Sequence, residues 1–92
     1  MTVQRVVITR SGGFADIRIT TEVDDPGEAE RLTEAVRTAA ERPPGRARDD
    51  FVYVFTIVTT IGTDSVELTG AQLTGDLRPT VRSLLDRARP SS

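Results

Sequence analysis

Two stretches near the start of the chain alternate apolar and polar side chains with a period of two. Residues 3–10 and 14–23 therefore predict strands. In the second, Ala15, Ile17, Ile19, Thr21 and Val23 share one face, while Asp16, Arg18, Thr20 and Glu22 share the other. Gly12-Gly13 tolerates positive φ angles, so the pattern predicts a two-residue hairpin turn there. That closure sets Val6 opposite Ile19 and Ile8 opposite Ile17, and it pairs Arg5 with Thr20 and Thr9 with Asp16.

From residue 25 the period changes. Asp25-Pro26-Gly27-Glu28 reads as a helix start, with Asp25 as N-cap, Pro26 in the first helical position and Glu28 completing a capping box. Ala29, Leu32, Ala35, Val36, Ala39 and Ala40 then recur at three- and four-residue spacing. They predict a helix to about residue 42 whose narrow stripe of mostly small side chains suits close packing on a sheet. Pro43-Pro44-Gly45 stops it, and residues 46–50 form a polar loop.

Residues 51–60 are apolar on both faces over most of their length, as an inner strand is. The larger set, Phe51, Tyr53, Phe55 and Ile57, is expected inside, leaving Val52, Val54 and Val58 on the open face. Gly62-Thr63 predicts a second tight turn that sets Ile57 opposite Leu68 and Thr59 opposite Val66, with Ser65, Glu67 and Thr69 outside. Leu73, Leu77, Val81, Leu84, Leu85 and Ala88 follow at helical spacing, capped by Thr74 or Asp76 and ending near Arg89, before a short Pro90-Ser91-Ser92 tail. The order ββαββα is a weak doubling of one ββα unit. It predicts an α+β fold of two layers, a four-stranded, mainly antiparallel sheet with two helices on one face. Ninety-two residues make one domain, 1–92.

Composition narrows the chemistry. With no cysteine and no histidine, the chain lacks disulfides, thiolate or imidazole metal ligands and the usual general base, so neither an enzyme nor a bound cofactor is expected. A mechanism built on two carboxylates needs a deep cleft, which so small a fold rarely provides. The net charge is −2, all 12 cations are arginine, and aromatics make up 4% of the chain, so no nucleic-acid footprint is expected. The cluster of Arg42, Arg46, Arg48, Arg78, Arg82, Arg87 and Arg89 reads as solvated surface, largely neutralised by Glu41, Asp49, Asp50 and Asp86. Asp24-Asp25 reads as a helix cap rather than a metal site. Residues 1–5 show no charged region leading into an apolar stretch, and no run is long enough to span a bilayer. No signal peptide and no membrane are therefore expected, and the expected location is cytoplasmic.

Ser11-Gly12-Gly13-Phe14 is the one short motif that points to function. A phosphate cradle would lead from a strand into a helix N-terminus, whereas a strand follows here. Phe14 instead stands with Asp16 and Arg18 on the outer face near a loop tip, where an aromatic can anchor a partner. The candidate partner-binding residues are Ser11, Gly12, Gly13 and Phe14. Arg10-Ser11-Gly12-Gly13-Phe14-Ala15, followed by Ile17, resembles the N-terminal signature of the emfourin family. The resemblance extends to Phe51-Val52-Tyr53-Val54 and to the helix from Leu77-Arg78-Pro79 to Leu84-Leu85. The chain departs from that pattern at Asp16, where glycine is usual, and at Ala39-Ala40-Glu41, in place of an aromatic pair.

What the resemblance implies is a small, non-enzymatic inhibitor of a protealysin-like, thermolysin-type zinc metalloprotease. Lacking imidazole and thiol, such a chain cannot take the protease zinc with those ligands and is expected to act by filling the cleft, with a carboxylate or a backbone carbonyl left as the group that could help. Without the resemblance, the residues point to an interaction module or a homodimer built on the open sheet face.

Overall fold

The computed structural model describes residues 2–12, 18–42, 52–73 and 75–87. The order is β1 (Val3–Ser11), β2 (Ile19–Val23), α1 (Pro26–Ala40), β3 (Val52–Thr59), β4 (Gly62–Thr69), a 3-10 turn (Gly70–Gln72) and α2 (Leu77–Asp86). The strands form one sheet in the order β2-β1-β3-β4, and every neighbouring pair is antiparallel. The two hairpins thus meet along β1 and β3. Both helices pack on the same sheet face, α1 across β1 and β4 and α2 against β2, so each reaches the hairpin of the other half.

Side-chain parity assigns the two faces as the alternation predicts. Val6, Ile8, Phe55, Ile57 and Leu68 are buried under the helices, with Tyr53 half-buried beside them. Leu32 and Val36 of α1 and Leu77, Val81 and Leu85 of α2 close the core from the other side. Val7, Val52, Val54 and Val58 fall on the open face together with Thr9, Thr56, Ser65 and Glu67. Phe51, grouped with the inward set by its parity, lies outside the described residues.

Both hairpin registers differ from the prediction, and for one shared reason. In the first, Val6 faces Val23 rather than Ile19, Ile8 faces Thr21 rather than Ile17, and the last β1–β2 pair is Arg10 with Ile19. The connection is therefore longer than the two residues Gly12-Gly13. In the second, the turn is Thr60-Ile61, not Gly62-Thr63, so Ile57 faces Asp64 and Phe55 faces Val66. Each register moves by an even number of residues. Because side chains alternate with period two, an even slip keeps every residue on its face, and apolar pairing cannot detect it. Burial of Val23 against Val6 favours the first shift. The Thr59 hydroxyl favours the second, donating to the Gly62 carbonyl at 3.0 Å and accepting from the Ile61 N–H at 3.3 Å.

The helices start where expected. The Asp25 carboxylate accepts a hydrogen bond from the Glu28 N–H at 3.1 Å, with Pro26 opening α1. The apolar stripe lies where spacing put it, with Ala29, Leu32, Val36 and Ala39 buried and Ala35 half-buried; Thr33 joins it, its hydroxyl bonded to the Ala29 carbonyl at 2.8 Å, whereas Ala40 is exposed. Ending at Ala40 and Asp86, the helices are shorter than predicted; Thr74, Ala88 and Arg89 lie outside the described residues. Gln72, the last residue of the 3-10 turn, is buried. Its side chain accepts from the Thr69 N–H at 2.9 Å and donates to the Arg42 carbonyl at 2.9 Å, tying the end of β4 to the end of α1.

Candidate functional site

β1 delivers the motif to one end of the sheet. Ser11 is its last residue, half-buried and paired with Val52 of β3, and Gly12 follows at φ 97°. A side chain is strained in that left-handed region, so glycine suits this exit from the strand. Gly13 and Phe14 lie outside the described residues. Of the four candidate partner-binding residues, Ser11 and Gly12 therefore have a described position, side by side where β1 ends.

One residue before the motif, parity turns Arg10 inward. It faces Ile19 on one side and Tyr53 on the other, in the row that continues the buried Val6 and Ile8. Arg10 and Tyr53, together with Gly70, Leu73 and α2, line a cleft of about 250 Å³. Arg78 and Arg82 enter it from α2 at a four-residue spacing, one helical turn apart, beside Val81 and Leu85. Arg78 is held in place: its Nε–H donates to the Leu73 carbonyl at 3.0 Å and its Nη2 to the Gly70 carbonyl at 2.9 Å.

Three guanidinium groups and a phenol thus converge on one cleft, and among the described residues no carboxylate lines it. Among the described residues, the charged side chains lining the cleft are therefore all arginines. Arg82, exposed on α2, is the group this cleft presents as a directed donor to carbonyl or carboxylate groups of a partner. Sequence reasoning placed Arg78 and Arg82 on neutralised surface and did not connect them with Arg10. Among the described residues the ion pairs are Arg5–Glu22 and Arg37–Asp64, both at 3.4 Å and both well exposed, and neither draws on the arginine cluster. The usable signal was parity, since Arg10 lies two residues beyond Ile8 on the same face.

Asp25 is occupied as the α1 cap, and among the described residues no group of three or more acidic side chains is placed to hold a metal ion. Nor is any described helix long and apolar enough to cross a membrane. The sequence model of the emfourin family matches residues 8–85, a span running from the end of β1 to the last buried turn of α2. No curated protein and no solved structure matches the chain.

Proposed function

The chain belongs to the emfourin family, and from that premise we propose that it inhibits a protealysin-like, thermolysin-type zinc metalloprotease by occluding the active-site cleft. Membership indicates a role of the protease-inhibitor type and a protease as partner in general. The choice of target and the occlusion mechanism are our reading. The observation that carries it is the family match itself, which spans the Ser11-Gly12-Gly13-Phe14 motif, the last four residues of β1, the other three strands and most of α2.

Physical chemistry supports occlusion over capture of the zinc by imidazole or thiolate. A chain without histidine or cysteine has no imidazole or thiolate to offer the partner's zinc. It can exclude substrate by covering the cleft with a surface of ordinary interface size, about 800 Å² per partner. Ser11, Gly12, Gly13 and Phe14 are the proposed contact segment. The donor-lined cleft beside Arg10 supports this end as the one that meets the partner's polar groups.

Titrating the purified chain into an assay of a thermolysin-type protease tests the reading. Activity is expected to fall to background at micromolar excess of the chain, and full retention of activity there would sink it. In the same assay Phe14→Ala weakens inhibition while leaving the unfolding midpoint in place, and an unchanged inhibition constant removes Phe14 from the contact.

A second reading has one observation in its favour. Val7, Val54 and Val58 lie on the open sheet face and are only partly covered, which suits a homodimer or a non-protease interaction module. The mass of the chain in solution separates the two.

A further inference from the structure

The outer edge of β4 carries side-chain caps that the fold does not need. Thr59 pairs with Gly62 across a two-residue turn, so these two exchange both ladder bonds, and every second residue after them does the same. Gly62, Asp64, Val66 and Leu68 therefore turn their N–H and C=O groups toward β3. Thr63, Ser65, Glu67 and Thr69 turn theirs outward, and among the described residues β4 is the last strand on its side of the sheet. A row of this kind is a template for another strand.

Two of these outward N–H groups are taken by side chains of the chain itself. The Ser65 N–H donates to Asp64 Oδ1 at 3.0 Å, and the Thr69 N–H donates to Gln72 Oε1 at 2.9 Å. The C-terminal part of α1 holds both caps in place. Arg37 donates to the other oxygen of Asp64 at 3.4 Å, and the Gln72 amide donates to the Arg42 carbonyl, just past the helix, at 2.9 Å. Spacing decides what the caps do. An antiparallel partner bonds at every second residue, so it must engage successive outward positions. Within β4 these are Thr63 with Ser65, Ser65 with Glu67, and Glu67 with Thr69, and each pair contains a capped N–H. An arriving strand meets a cap before it completes two rungs, and displacing the cap costs the hydrogen bond it makes.

We infer that the outer edge of β4 is a pairing surface for a second copy of this chain, held shut by Asp64 and Gln72. The occupant follows from the residues along the edge. A two-fold antiparallel pairing centred on Ser65 sets Ser65 against its own copy and Thr63 against Glu67 on both sides. That register keeps the two Glu67 side chains apart, so charge does not close it and the Asp64 cap does. The inference is independent of the inhibitor reading.

The test follows amide exchange and the mass of the chain in solution. In the native chain the Ser65 and Thr69 amides are expected to exchange about tenfold more slowly than those of Thr63 and Glu67, and equal rates overturn the caps. Asp64→Ala removes the acceptor at the centre of the register, and its mass is expected to rise from 10.0 kDa toward twice that as concentration increases. Asp64→Asn keeps an oxygen for the Ser65 N–H and should stay at the single-chain mass; a rise there would assign the effect to lost charge and overturn the cap. Adding Ser65→Pro to Asp64→Ala deletes the outward N–H, leaves the bonds to β3 alone and should restore the single-chain mass. Asp64→Ala that stays a single chain overturns the pairing surface, and so does a larger mass that survives Ser65→Pro.

Discussion

Thr59 shows how much one hydroxyl decides. It sits at the end of β3, nearly buried, and serves as donor to Gly62 and acceptor from Ile61 within a single turn. Thr59→Val keeps the shape and removes both bonds, leaving a part-buried carbonyl and an N–H unsatisfied. The expected loss is about 1–2 kcal/mol, read as a lower urea midpoint. An unchanged midpoint would mean that the strands alone hold the turn. Nothing in the composition marks this threonine out from Thr56, Thr60 or Thr63. Its role comes from the register, which alternation alone does not resolve.

At the scale of elements, the first helix can be tested at its start. Asp25→Ala deletes the acceptor for the Glu28 N–H and should cost about 1 kcal/mol in chemical denaturation, whereas Asp25→Asn should keep most of it. Equal losses for the two would assign the effect to charge rather than to the cap. The strands and helices were legible, because the period changes from two to 3.6 at Asp25 and the apolar run at 52–59 is short and rich in β-branched and aromatic residues; the 3-10 turn at Gly70–Gln72 was not. Strand register was not, since slips of an even number of residues leave every face unchanged. The candidate site was legible in part: Ser11 and Gly12 stand at a strand end as a hairpin motif should. The cleft beside them needed the tertiary packing that carries α2 to Arg10 and Tyr53. Gln72 escaped notice because a buried polar connector is recognised by its partners, Thr69 and Arg42, and these are close only in the fold.

For the whole molecule, the open sheet face decides between the two functional readings. Its valines are interleaved with polar neighbours: Thr9 meets Thr20 at 3.4 Å, Arg5 pairs with Glu22, and Ser65 and Glu67 flank Thr56 and Val54. A face so divided lacks the continuous apolar core of an obligate dimer. Light scattering is therefore expected to return the single-chain mass of 10.0 kDa, unchanged in Val54→Glu. Twice that mass, reverting to one chain in Val54→Glu, would favour the homodimer. Because the sheet does not close on itself, β2 and β4 each keep one row of ladder groups uncommitted to a neighbouring strand. β4 sets Glu67 along that margin, where approaching copies meet like charge. That acidic side chain discourages ribbon-like stacking when many copies crowd together.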